Sequence, residues 1–315
     1  MSKLRFYILC FVTFISVGVL IFALQREAPV FVQEKLGLLL PELNSQLDKV
    51  ARVEITHGLG LSGTQTLIFS RGAEEGDQLW RVVARDHYPA NQELVNETII
   101  ALSNLEKLAP RTALKEWHRV LGLTAPDDLS KAIEFKLFDA SGAPIVQVLM
   151  GNDERSEAEQ KQVSKQVGDS LKNFYMRRSD LDQTWLVRGR LPRSKDITPW
   201  LDARIEWPDF GQVIEVTLSG ISRGSFKRSD ATSPWPSNQP VDIMVQIAAL
   251  RLLDVVPADT IDFANGQTTI LTLANGTEFT ISAVTTSSNF WVRLNNGSWA
   301  YKFDGSARDA LIPTL

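Results

Sequence analysis

Tyr88–Pro110 reads YPANQELVNETIIALSNLEKLAP, and Trp235–Pro257 reads WPSNQPVDIMVQIAALRLLDVVP. The second is a weakened copy of the first. An aromatic residue, a proline, a small residue, Asn and Gln open each stretch, and a proline closes each at the same distance. Both read as a helix with its own punctuation. Asn91 and Asn238 are placed to accept from the backbone N–H groups of a first turn, which have no partner inside the helix. Glu93 and Asp242 put negative charge at the positive end of the helix dipole. Pro240 falls in the first turn, where a missing N–H costs little. Pro110 and Pro257 are expected to stop the helices, because proline disfavours helical geometry in the residue before it. Apolar residues pair between copies as Leu94/Val241, Ile100/Ile247, Leu102/Ala249, Leu105/Leu252 and Leu108/Val255. The second copy is apolar nearly all round, which predicts a helix buried on two sides.

Around this repeat, other signals recur in one order. Val50–Thr56 and Val213–Leu218 read as opening strands, with Thr66–Phe69 and Gln78–Val83 adding strands to the first module. Ile133–Phe138 and Ile145–Leu149 flank Ala140-Ser141-Gly142, while Thr268–Leu273 and Glu278–Val284 flank Asn275-Gly276. Phe174–Arg177 with Thr184–Arg188 form a further hairpin pattern, as do Phe290–Leu294 with Trp299–Phe303 around Asn296-Gly297. Asn-Gly suits a type I′ turn, whose central positions both need positive φ. A charged insert, Asn152–Lys172, occurs in the first copy alone and reads as a solvated loop. These patterns predict an α+β protein: an N-terminal transmembrane helix followed by two related modules of antiparallel strands with one main helix each. The expected division is an anchor over 1–28, a juxtamembrane stalk over 29–49, a first module over 50–195, a linker over 196–212 and a shorter second module over 213–315. In the linker, Thr198 and Pro199 predict a short helical turn.

The anchor rests on Phe6–Leu24, a run of 19 residues without a charge. At about 1.5 Å per residue it reaches roughly 28 Å, close to the ~30 Å hydrocarbon core of a bilayer. A cleaved signal is usually shorter, and no small-x-small cleavage pattern follows this run. Lys3 and Arg5 precede it, which under the positive-inside rule places the N-terminus in the cytoplasm and the body outside it. The expectation is a single-pass protein of a bacterial inner membrane, in contact with the bilayer through residues 6–24, with a periplasmic body.

Of 315 residues, 33 are basic and 37 acidic, a formal charge of -4. The first 25 hold two bases and no acid, so the remainder stands at 31 against 37, or -6. An acidic body argues against nucleic-acid partners, which need basic surface to displace counterions. Cys10 is the single cysteine and lies in the apolar run. The rest of the chain therefore has no disulfide framework, thiolate metal site or cysteine nucleophile.

Candidate chemistry is sparse. Gly58-Leu59-Gly60-Leu61-Ser62-Gly63 matches the dinucleotide fingerprint by letter, but the strand-like TQTLIFS follows it where the chemistry requires a helix. A glycine-rich hairpin loop is the expected reading. His57, His87 and His118 form no close ligand pair, and Ser62 lacks the strand-to-helix frame of a nucleophile elbow. Asp180 with Asp182, or Asp127 with Asp128, stand where turns favour Asp. No catalytic residue, cofactor or metal is assigned. Trp185 and Trp299 stand at equivalent strand positions in the two modules and so read as core. Trp200, Trp207 and Trp235 cluster with several prolines, and either dock a partner, as surface Trp often does, or pack the modules together.

The first copy resembles domain-of-unknown-function family 4340. The resemblance lies in LLPELNSQLDKVARVEI, YPANQELVNETIIALSNLEKL, LGLTAPDD with IEFKLFDASGAPIVQVLMGN, and NFYMRRSDLDQTWLV, over about Leu38–Arg204 and more faintly beyond. It implies an N-terminally anchored envelope protein associated with ABC-type transport systems, and it brings no catalytic residues. The leading expectation is a non-enzymatic accessory or scaffold subunit of an inner-membrane transport complex, with transporter subunits as partners. The alternatives are an envelope hydrolase acting on glycan or lipid, and a ligand-binding module using the cleft between the repeats.

Overall fold

Alternating apolar and polar residues in Arg52–Gly58 (β1) and Thr64–Ser70 (β2) bury one face of each strand and leave the other accessible. The computed structural model describes residues 36–72, 78–127, 129–154, 171–286, 289–304 and 308. The chain divides into Met1–Gly37 and a body, Leu38–Leu315. The expected anchor at 6–24 lies outside the described residues, as does most of the charged insert. Among the described residues no helix is long and apolar enough to cross a membrane.

The body continues through Arg81–Val82 (β3), Tyr88–Pro89 (β4), Gln92–Ser103 (α1), Glu106–Pro110 (β5), Ile133–Phe138 (β6), Pro144–Asp153 (β7), Lys172–Arg178 (β8) and Thr184–Gly189 (β9). These strands form one sheet in the order β4-β3-β2-β1-β6-β7-β8-β9-β5. Val213–Ser219 (β10), Gly224–Lys227 (β11), Gln239–Ala248 (α2), Leu252–Pro257 (β12), Gln267–Leu273 (β13), Glu278–Thr286 (β14), Asn289–Leu294 (β15) and Trp299–Phe303 (β16) follow. They form a second sheet in the order β11-β10-β13-β14-β15-β16-β12. Every described pairing between named strands is antiparallel. The fold is α+β.

The second order is the first without β3 and β4, so one strand plan is used twice. The ladders fix the equivalences. Val53 lies between Phe69 and Leu137, as Val216 lies between Phe226 and Leu271. Gly142 and Gly276 turn their hairpins at φ 83° and 82°. A less expected match is a clamp behind the first two strands. Arg71 donates Nε to the Val50 carbonyl at 2.7 Å and Nη2 to that of Asp48 at 3.0 Å, with its guanidinium 4.9 Å from the Trp80 ring centre. Arg228 donates in the same way to Val213 and Gly211, each at 2.8 Å, and sits 4.9 Å from the Trp235 ring centre.

These equivalences correct several details. The helices end at Ser103 and Ala248, well before the prolines, and the chain then enters the edge strands β5 and β12. Pro110 and Pro257 end those strands, where a missing N–H costs little. Nor are the two prolines equivalent. Phe174 faces Val187 and Phe290 faces Phe303, so the β8–β9 and β15–β16 hairpins are in register. The edge strands bulge beside those residues, at Leu108 and at Leu253, so Pro110 corresponds to Val255. By the same register Trp185 corresponds to Tyr301, not Trp299. The helices are matched one residue out of the sequence alignment: Val95 and Ile99 face the core as Ile243 and Ile247 do. Val241 and Ala249, the sequence partners of Leu94 and Leu102, are exposed. The second helix is thus buried on one side only.

The turns differ from expectation too. Asn275 is not at positive φ, and in the last hairpin Asn295 and Asn296 hold φ of 48° and 50°. The type I′ centre is therefore Asn295-Asn296, closed by the Gly297 N–H donating to the Leu294 carbonyl at 2.7 Å. The segment from Leu38 to Lys49, expected as stalk, belongs to the body. Leu39 donates to the Leu105 carbonyl at 2.8 Å, and Leu39, Leu40 and Leu43 are buried in a core that also holds residues of both sheets.

Candidate functional site

The linker between the sheets is laid along the first module as an added extended segment. Thr198–Trp200 is a short 3-10 turn. Asn91 then donates its N–H to the Trp200 carbonyl at 2.7 Å, Ala90 bridges Leu201, and Asp202 donates to the Pro89 carbonyl at 3.0 Å. The Asn91 side chain does two jobs: Oδ1 accepts from the Leu94 N–H at 3.2 Å, capping α1, and Nδ2 donates to the Pro199 carbonyl at 3.2 Å. The Tyr88 hydroxyl donates to the Asp202 carbonyl at 2.9 Å. Across the seam, Thr198 Oγ1 donates to the Leu253 carbonyl at 2.5 Å. Arg85 grips Asp254 with two nitrogens, at 2.6 and 3.0 Å.

Two clefts flank this segment and share Asp202 and Arg204. One, of about 320 Å3, has Tyr88, Phe279, Trp299 and Tyr301 on its walls and Glu206 and Asn295 among its polar groups. Tyr88 meets Trp299 edge-on at 5.1 Å between ring centres and Tyr301 at 6.3 Å. The other, of about 540 Å3, lies at the start of α1 among Asn91, Gln92, Glu93, Thr198 and Leu252.

The electrostatics of the aromatic cleft are set by burial and one ion pair. Burial, with Tyr301 and Asp202 nearby, pushes the Tyr88 hydroxyl well above its usual range. Burial raises that of Tyr301, a hydrogen bond with Tyr88 opposes the rise, and the Glu206 charge adds to it. Both phenols are therefore neutral hydrogen-bonding groups near pH 7. Hydrogen bonds from the Arg204 side chain hold the Asp202 carboxyl below the usual carboxylate range. Apolar rings with a few converging polar groups suit a small polar ligand.

Of the three tryptophans singled out from sequence, Trp200 is buried and Trp207 and Trp235 are half-buried. Trp200 is 1% exposed and packs 4.8 Å from the Phe69 ring, so it offers nothing to a partner. Trp207 is half-buried, 6.1 Å from Phe279. Trp235 is half-buried under Arg228 and is the structural counterpart of Trp80, a packing residue. The aromatic cleft has no local sequence signal, since Trp299 reads as core and Tyr88 as punctuation of the repeat.

Other sequence candidates resolve as architecture. Gly58–Gly63 joins β1 to β2 through a three-residue 3-10 turn, Gly60–Ser62, and the strand β2 follows it where a pyrophosphate site needs the start of an α-helix. His57 is buried within β1, His87 occupies a positive-φ turn at 61°, and the His118 ring bonds the Asp182 carbonyl at 2.9 Å. Asp180 pairs with Arg178, and Asp182 with Lys115. Asp128 lies outside the described residues. Among the described residues no group of His, Cys, Asp or Glu has the makings of a metal site.

A family model described as Domain of unknown function (DUF4340) matches residues 80–265, more than half of the chain. The chain belongs to the DUF4340 family. In this member, the matched span starts at Trp80, runs through α1 and the seam, and includes Trp235 and α2. No curated protein and no solved structure matches this DUF4340 chain.

Proposed function

We propose that this protein is a non-enzymatic, membrane-anchored periplasmic accessory or scaffold subunit of an inner-membrane, ABC-type transport complex. The observation that carries the reading is the seam. Two copies of one module share a core and are locked by Arg85–Asp254 and Thr198–Leu253, which makes a stiff platform of the kind a docking subunit needs. The uncharged run Phe6–Leu24 behind Lys3 and Arg5 supports the anchor and its orientation. The test is purification of the full-length protein in detergent, with identification of what accompanies it. Transporter subunits should co-purify, and a reporter active only outside the cytoplasm should work when fused after Leu315. A mature chain that has lost Met1–Leu24, or a protein that purifies alone, defeats the reading.

A second reading, a ligand-binding module, is favoured by the Tyr88–Phe279–Trp299–Tyr301 cleft. A small polar ligand held there would perturb Trp299 fluorescence, and Tyr301→Ala would abolish the change. A hydrolytic activity on glycan or lipid that Glu206→Gln removes would favour an envelope enzyme over both.

A further inference from the structure

The duplicated helix offers an internal comparison of one outward face in two settings. With Val95 and Ile99 matched to Ile243 and Ile247 by burial, the positions of Glu93 and Glu97 on α1 correspond to Val241 and Val245 on α2. All four are exposed, the two valines at 41% and 63%. A solvated helix face carries charge there, as α1 does. On α2, Val241, Val245, Ala248 and Ala249 are exposed at i, i+4, i+7 and i+8, which places them on one stripe. Leu253, the bulged residue of β12, adds a further exposed apolar side chain just beyond the helix, at 36%.

The ends of the stripe say what covers it. Asp242 is exposed in the first turn, and Arg251 is exposed just past the last. Neither takes part in an ion pair within the described body. A charge of each sign at opposite ends of an apolar stripe is self-complementary when two such stripes run antiparallel. We infer that the outward face of α2 is a twofold interface with a second copy of this chain. The Val245 and Ala248–Ala249 region lies near the axis, where small side chains allow close helix approach, and each Asp242 meets the Arg251 of the second copy. Such an isologous contact satisfies both charges twice with one patch. An anionic membrane surface is a poorer occupant, because the body is acidic. The inference is independent of the transport reading.

The experiment measures mass by light scattering and sedimentation on the full-length chain in a mild detergent, over a wide concentration range. A dimer is expected. Val245→Glu and Val241→Glu restore residues that the first copy already carries outward, so they should fold with an unchanged circular dichroism spectrum and weaken association by about tenfold or more. Asp242→Arg should also weaken it, and adding Arg251→Asp should restore it, which only the antiparallel pairing predicts. With Cys10 replaced by Ser, Val245→Cys should cross-link into a dimer in native membranes. A monomer at every concentration, a dimer indifferent to Val245→Glu, or a charge swap that fails to rescue overturns the inference. So does a monomer that uses the stripe to hold phosphatidylcholine vesicles or a different protein.

Discussion

His57 sits in β1 with 4% of its surface exposed, and its Nε2 has no hydrogen-bond partner. Burial, and secondarily the Lys195 charge, lower its pKa from the usual 6.5. As pH falls through about 6.5 the unfolded chain takes up a proton that the folded chain refuses, so stability is complete above that pH and declines below it. The decline approaches about 1.4 kcal/mol per pH unit and stops once pH passes below the folded pKa. Urea unfolding between pH 7.5 and 5 should show His57→Leu losing less stability than the wild type; parallel curves for the two would sink the assignment. The neighbouring glycines have a similarly local explanation. A Cβ on Gly58 would stand 2.4 Å from the Ser130 carbonyl oxygen, and Gly60 and Gly63 hold φ of 61° and 85°. Close approach and turn geometry account for all three without a phosphate. Gly58→Ala should cost about 1–3 kcal/mol by overpacking, measured as a shift of the denaturant midpoint at constant slope.

The two helices differ at their starts in a way that provides its own control. Asn91 caps α1 and also holds the linker, whereas Asn238 lies at φ −76°, ψ −18°, already helical, and makes no cap bond. Asn91→Ala should therefore cost ~1 kcal/mol or more, and Asn238→Ala no more than a few tenths. Equal losses would show that the helix starts are misassigned. Element type and order were legible in the sequence because binary patterns and turn residues are local: the hairpins at Gly142 and Gly276 and the strands around them follow from them. The registers were not. Matching Pro110 to Pro257 averaged a helix displaced one way and an edge strand displaced the other, and bulges such as those at Leu108 and Leu253 leave no local signature. The Arg71–Trp80 clamp and its twin at Arg228–Trp235 were hidden for the same reason, since each joins residues that sequence spacing does not relate. The aromatic cleft needed Tyr88 and Trp299 to meet across some two hundred residues, which only the packed core decides.

The two modules either melt separately or form one cooperative unit. Their strand plans are alike, so each has the makings of a domain, yet Leu102, Trp200, Val216, Ile247 and Phe303 belong to one continuous buried cluster. Separating the modules would expose the Tyr88–Trp299 contact and break the Thr198–Leu253 hydrogen bond. It would also strip Asp254 of the two-pronged Arg85 pair, whose side chains are only 27% and 25% exposed. Hydrogen bonds to charged groups at this depth contribute about 1.5–3 kcal/mol, and the apolar seam adds to them. Opening the seam alone is then a costly step, and unfolding of the body should be a single transition. Calorimetry should give one peak with equal calorimetric and van't Hoff enthalpies. Asp254→Asn keeps the shape and removes the charge; it should lower the melting temperature of the whole body while the peak stays single. If that variant instead splits the transition, with the Trp80 and Trp235 halves melting apart, the seam is a hinge between independent domains and the stiff platform does not exist.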